Sequence, residues 1–257
     1  MSTPTGPTAR LRVGIVGAGR AGAVLGAALA RSGHQPVAVS AVSDASRARA
    51  ELLLPGVPVR EDLDVVAEAD LVLLAVPDDA LPGLVQGLAT AGAFHPGQVL
   101  VHTSAGHGIG VLEPAAAHDV LPVALHPAVA LSGTPSDAER LAAAVFAVTT
   151  LKSLRPLGEA LVLEMGGEPV WVEEEDRPAY AAALGAVRDG LEGVLGAAGR
   201  VLADCGIPDP SRALGPLVLT ALENAFRSGS VSRDPQAHAA PVVERPGDGP
   251  QPLEDDE

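Results

Sequence analysis

Gly17, Gly19 and Gly22 stand as G-x-G-x-x-G in LRVGIVGAGRAGAVLGAALARSGH, between an apolar run and an alanine-rich stretch. Between a strand and a helix, that spacing suits a dinucleotide. Gly17 permits the tight turn, Gly19 lets a pyrophosphate approach bare backbone, and Gly22 allows the helix to pack close to the strand. The N–H groups of the loop and helix start, Ala18, Gly19, Arg20 and Ala21, would then meet the phosphates at the positive end of the helix dipole. A glycine turn in an alanine-rich chain is the plainer alternative, and the residues downstream weigh against it.

The tip of the following strand should choose between the nicotinamide cofactors. NAD sites use an acidic residue there for the ribose 2′-hydroxyl, whereas NADP sites use arginine and small polar groups. The text AVSDASRARA offers Ser43, Ser46 and Arg47, which favours NADP with NAD as the alternative. Asp44 is the contrary sign, although Asp before a helix is as readily an N-cap. The next strand ends LAVPDDAL, so Ala75, Val76 and Pro77 are candidates for the floor of the nicotinamide-ribose site.

Two further strand ends carry groups able to move a proton. One is VHTSAGHG, with His102, Ser104 and His107; the other is LHPAV, with His126 before Pro127. Reducing a carbonyl or imine needs a hydride beside the carbon and a proton donor beside the heteroatom. Histidine suits the donor role because its ordinary pKa lies near neutrality, and Ser104 could hold the same atom by a hydrogen bond. His34, His95, His118 and His238 are expected to be loop or partly buried residues bonded to backbone. Histidine spacing fits no zinc motif, no carboxylate cluster suggests a metal, and no G-x-S-x-G points to a serine hydrolase.

These residues require elements to position them. Strands are expected at 11–16, 36–42, 69–77, 97–105, 121–127, 145–150 and 168–172, with 57–59 marginal. Helices are expected at 20–32, through SRARAELL (46–53), at 80–91 and at 157–165. Alternation of this kind indicates a mainly parallel sheet with helices on both faces. From 173 the pattern changes to one long helix opened by acidic residues, then a second helix over DPSRALGPLVLTALENAFRSG. The expected architecture is therefore α/β, a Rossmann-type sheet followed by a smaller all-helical domain. Its parts are a disordered N-terminus (1–10), the dinucleotide domain (11–173), the helical domain (174–228) and a disordered Pro-rich acidic tail (229–257).

Composition sets the outer limits. Of 257 residues, 47% are hydrophobic but only 2% aromatic, so the core must be built from Ala, Val and Leu. A net charge of −15 makes nucleic acid and anionic membranes poor partners. No apolar run approaches the ~20 residues that cross a bilayer, and a cytoplasmic protein is expected. The lone Cys205 excludes an intrachain disulfide and is expected to be structural.

With the glycine loop, LAVP, HTSAGHG and LHPAV together, the chain resembles Rossmann-like oxidoreductases fused to a helical domain of unknown function. These are similar to the superfamily of deazaflavin-dependent NADP oxidoreductase, pyrroline-5-carboxylate reductase and prephenate dehydrogenase. The resemblance runs from about Leu11 to Arg227, and EALVLEMGGEPVWVEEEDRPAY is its most specific part. Prephenate dehydrogenases place a serine on one strand end and a His-Pro about one crossover later. Ser104 and His126-Pro127 are similar to that pair, which implies that they engage the reacting substrate. The resemblance also implies a homodimer through the helical domain, and His107, Tyr180 and Asp189 as substrate-facing residues. Branches that rely on a lysine in the helical domain are excluded, since no lysine follows Lys152. Departures fall in the long helix, where Ala181 and Asp189 replace the family's usual histidine and asparagine, and after FRSG, where the tail replaces a final helix. An NAD(P)-dependent oxidoreductase on a small carbonyl, imine or hydroxyl substrate is expected; the alternative is a catalytically impaired NADP-binding or regulatory derivative.

Overall fold

A computed structural model describes residues 10–228. The tail expected at 229–257, His238 within it, and residues 1–9 lie outside the described residues. Seven strands form one sheet: β1 (Arg12–Val16), β2 (Gln35–Val39), β3 (Leu71–Leu74), β4 (Val99–His102), β5 (Leu121–Pro127), β6 (Val145–Thr150) and β7 (Glu168–Trp171). Their order is β2-β1-β3-β4-β5-β6-β7. Only the β5–β6 pair is antiparallel. Helices intervene as α1 (Arg20–Arg31), α2 (Asp44–Leu53), α3 (Asp62–Ala67), α4 (Leu81–Thr90), α5 (Glu113–Ala116), α6 (Asp137–Ala142) and α7 (Arg155–Glu164).

The short central strands LVLL and VLVH are buried along their whole length. A sheet covered on both faces permits such continuous apolar runs, and alternation then deals successive side chains to opposite layers. Leu71 and Leu73 join Val13, Ile15 and Leu25 in one core. Val72 and Leu74 join Val16, Leu100 and Val85 in the other. Because β1, β3, β4 and β5 are parallel, their carboxyl ends meet at one edge of the sheet. The strand order reverses beside β1, and open α/β sheets bind ligands at that switch point.

Several local expectations change. Helix α3 was not expected, because its six residues offer too short a period. It packs so closely on β1 that a Cβ on Gly14 would lie 2.5 Å from the Val65 carbonyl oxygen. The marginal 57–59 segment is a single bridge between Val59 and Val39. Ser43, not Asp44, caps α2, because its hydroxyl reaches the Ser46 N–H in a reciprocal capping box. Between β5 and β6 the chain turns over at the buried Asp137. Burial opposes its charge, but N–H donors from Thr134, Ser132 and Gly133 and the Ser132 hydroxyl outweigh that and hold its pKa at about 2.

Beyond the sheet run α8 (Arg177–Asp204) and α9 (Pro210–Arg227). The described residues divide into two compact units, the first ending at 187 and the second beginning at 188. In the second unit Asp209 caps α9, accepting from the N–H of Ser211 and Arg212, and none of its described residues is buried. Cys205, expected as structural, is exposed just past α8. The acidic residues expected to open the long helix precede it as a 3₁₀ turn. Glu173 pairs with Arg155 at 3.1 Å, and Glu174 serves the site below.

Candidate active site

At the end of β1 the chain turns through Gly17, whose φ of +95° suits glycine. A Cβ there would lie 2.7 Å from the Ala75 carbonyl oxygen. At Gly22 a Cβ would collide with the Gly17 carbonyl and approach Ala75 Cβ to 2.9 Å. Both glycines are thus demanded by the chain's own packing, and the small Ala75 with them. Gly19 differs, because the nearest atom to a Cβ there is 3.9 Å away. No side chain caps α1 and no acidic residue stands in its first turn, so the amides of that turn are left for an anion. A dinucleotide phosphate fits this cradle: of the three glycines of the loop, Gly19 is the one whose Cβ position the fold leaves open.

Beside the loop, Ser40 ties β2 to β1, its hydroxyl accepting the Gly17 N–H at 3.0 Å. The Ser46 hydroxyl is committed to the α2 cap, donating to the Ser43 carbonyl at 2.7 Å. Arg47 donates to the Ala41 carbonyl at 3.0 Å and pairs with Asp44 at 3.3 Å. Two other arginines meet over the β5–β6 connection: at Gly133 a Cβ would lie 2.9 Å from Arg49 Nε and 3.2 Å from Arg20 Cγ. Among the described residues neither Arg20 nor Arg49 has a hydrogen-bond or ion-pair partner. Val76 Cγ1 lies against Gly17, and the Pro77 carbonyl accepts the N–H of Ala80 and Leu81, starting the turn into α4.

The β4 tip is a locked loop. His102 is fully buried. Its Nδ1 accepts the Ser104 N–H at 3.2 Å, so Nε2 carries the hydrogen and donates to the Gly108 carbonyl at 2.8 Å. Burial, with lesser repulsion from Arg177, lowers its pKa to about 4. Ser104 is also buried, and its hydroxyl accepts the His107 N–H at 3.2 Å. Glu174 closes the loop from outside, taking the N–H of Ile109 at 2.7 Å and of Gly110 at 2.9 Å. A Cβ on Gly108 would overlap that carboxylate.

His126 ends β5 half-buried. Its Nδ1 lies 2.9 Å from the Tyr180 hydroxyl, with the two rings edge to face. Burial first, then Arg177, lowers its pKa to about 4, against raising influences of Asp78 and of a hydrogen bond to the residue's own backbone. His126 is therefore a neutral ring at neutral pH.

Arg177, which sequence reasoning missed, joins these parts. Its fully buried guanidinium donates to Thr149 Oγ1 at 2.7 Å, the Ser104 carbonyl at 3.4 Å, and the Ala124 and Ala147 carbonyls at 3.1 and 3.0 Å. Ser104 and His126 are thus brought to adjacent strand ends over one cation, without a hydrogen bond between them. Ala181 Cβ would lie 3.6 Å from a Cβ on Gly106, so the first altered helix position faces the β4 loop. Asp189 lies in the second unit, where it pairs with its neighbour Arg188. The histidines expected to be bland divide: His34 accepts the Leu11 N–H and meets Glu164, His95 meets the Ala69 carbonyl, and His118 faces the Phe94 ring. Among the described residues no cluster could hold a metal, and no helix is long and apolar enough to cross a membrane.

This arrangement of glycine loop, switch point and strand tips defines a Rossmann-like dinucleotide fold. Residues 3–127 match the model of a Rossmann-like domain. Residues 144–243 match that of a domain of unknown function, DUF2520, which extends past the Arg227 limit expected from sequence. The chain thus matches a Rossmann-like domain model in its first part and a DUF2520 model in its second. No curated protein matches it.

Among solved structures it is similar to a candidate NADP oxidoreductase of Bacteroides fragilis, with TM-score 0.66 and 18% identity over 86% of this chain and 81% of that one. Another is the 1-pyrroline-5-carboxylate reductase of Streptococcus pyogenes, with TM-score 0.63 and 20% identity over 88% and 82%. An imine reductase of a Pseudomonas species gives TM-score 0.63 and 19% identity over 87% and 77%. At such identities the likeness is one of fold.

Proposed function

We propose that this protein is an NAD(P)-dependent oxidoreductase that moves a hydride to or from a small carbonyl, imine or hydroxyl substrate. The observation that carries the reading is the open backbone at Gly19 before the uncapped start of α1. In this reading residues 11–173 hold the dinucleotide and 174–228 form a helical domain that pairs two copies of the chain in the cytoplasm. Gly19 to Gly22 take the pyrophosphate, the Ala18 N–H expected there being spent on the Ser40 carbonyl at 2.8 Å, and Ala75, Val76 and Pro77 floor the nicotinamide ribose. NADP is preferred: Ser43, Ser46 and Arg47 stand at the 2′-phosphate position, and the unpaired Arg20 and Arg49 support that preference by adding cations nearby.

When bound, the cofactor supplies the hydride. The chain's own part is to hold the substrate heteroatom at His126, with Ser104 and His107 around it. The similar structures named for pyrroline and imine reduction favour a C=N substrate over others. The test is calorimetric titration with NADPH and NADH, followed by a screen of keto acids, cyclic imines and deazaflavin for NADPH oxidation. Binding of neither nucleotide would remove the reading.

The impaired derivative has its own supporting observation. Ala181 presents only a methyl group at Gly106, where the family resemblance expects an imidazole. Tight NADPH binding without turnover across the screen would favour it.

A further inference from the structure

We infer that Tyr180 is a positioning residue for His126: its hydroxyl donates to Nδ1, which fixes the hydrogen on Nε2 and aims that N–H at the substrate heteroatom. This rests on the proposed role of His126 as the proton-donating group.

The first support is the 2.9 Å contact between Tyr180 Oη and His126 Nδ1. Phenol is a strong donor and imidazole nitrogen a strong acceptor, whereas the reverse pairing joins a weaker donor to a poor acceptor. Among the described residues Tyr180 has no other hydrogen-bond partner, so its proton has one internal acceptor. The second is the far edge of the ring. Among the described residues Nε2 has no hydrogen-bond partner, and it is not fully buried. The third is the neighbouring strand, where His102 already carries its hydrogen on Nε2 because Nδ1 accepts an N–H.

The groups facing the pair are Arg177, whose guanidinium lies 6.0 Å from the Tyr180 ring centre, Asp78, and the backbone of His126 itself, which competes with the phenol for the ring. Burial raises the Tyr180 pKa while Arg177 opposes that rise, so the phenol keeps its proton at neutral pH. In the reducing direction the hydride comes from a reduced nicotinamide dinucleotide. The Nε2–H bond breaks as its proton passes to the substrate oxygen or nitrogen. The Tyr180 O–H bond breaks in turn as its proton moves to Nδ1. The resulting phenolate faces Arg177 and regains a proton from water.

Tyr180 is the only tyrosine in the chain, so global replacement by 3-fluorotyrosine alters this one phenol. The full chain, labelled with ¹⁵N-histidine and free of nucleotide, is read by long-range ¹H–¹⁵N correlation at neutral pH, with His126→Ala assigning the signal. The expected result is an unprotonated Nδ1 and a protonated Nε2. Fluorination should shift the Nδ1 resonance toward stronger donation, and Tyr180→Phe should return His126 to a mixture of tautomers. With a substrate found, Tyr180→Phe should lower kcat about 10- to 100-fold with little change in KM. Fluorination should move the alkaline limb of the pH profile downward.

A hydrogen on Nδ1 of the unmodified chain, or a signal indifferent to fluorination, overturns the inference. Should Tyr180→Phe not fold, fluorination carries the test alone. Intact turnover in His126→Ala would sink the proton-donor reading while leaving the tautomer result to be judged by itself.

Discussion

His102 and His126 end neighbouring strands, and both are held neutral by burial, yet the fold treats them differently. At His102 both ring nitrogens are spent inside the chain, locking the loop from Ser104 to Gly108. At His126 one nitrogen meets Tyr180, and the other has no hydrogen-bond partner among the described residues and is not fully buried. The same division separates Gly22, which packing demands, from Gly19, which it does not. A lowered pKa therefore does not by itself mark a reacting group; under the proposed function it is the ring nitrogen left unengaged that does.

The sharpest way to break this comparison is to exchange the two consequences. His126→Ala should cost about 10²- to 10⁴-fold in turnover while leaving NADPH affinity and the unfolding midpoint nearly unchanged; comparable turnover would erase the distinction. Gly22→Val should destabilise the fold by about 3 kcal/mol or more through collision with the Gly17 carbonyl, seen as loss of the folded signal in urea.

Acid should act on both histidines alike. Unfolded, each imidazole binds a proton near 6.5; folded, near 4. The unfolded chain then holds more protons between those values, so stability falls as pH drops from about 6.5 to about 4 and levels below. Each contributes at most ~3 kcal/mol, with the half-open His126 giving less. His102→Leu should remove its share of that slope and cost about 2 kcal/mol at pH 8, where lost hydrogen bonds dominate. The smallest expected effect is at Gly19. Its φ of −66° suits any residue, so Gly19→Ala should leave stability within ~0.5 kcal/mol yet weaken NADPH about tenfold, which calorimetry would read.

Much of the sheet was legible because β1, β3 and β4 are short apolar runs bounded by glycine and proline, and because G-x-G-x-x-G sits at the one place where strand, turn and helix meet. The site was legible in part. Ser104 and His126 stand out as polar residues at strand ends, but sequence cannot say which nitrogen of a histidine is already engaged. Glu174 read as helix-opening charge, although its partners, Ile109 and Gly110, lie more than 60 residues away. Arg177 gave no signal at all, since its acceptors are main-chain carbonyls of Ser104, Ala124 and Ala147 together with the hydroxyl of Thr149. Such backbone acceptors have no sequence identity.

Arg177 has one more consequence. Tyr180 is one helical turn further along α8 and inherits its placement from this rivet. The phenol is thereby registered to the sheet rather than to the long helix that carries it. Bending or sliding farther down that helix would leave the aromatic pair where the strands put it.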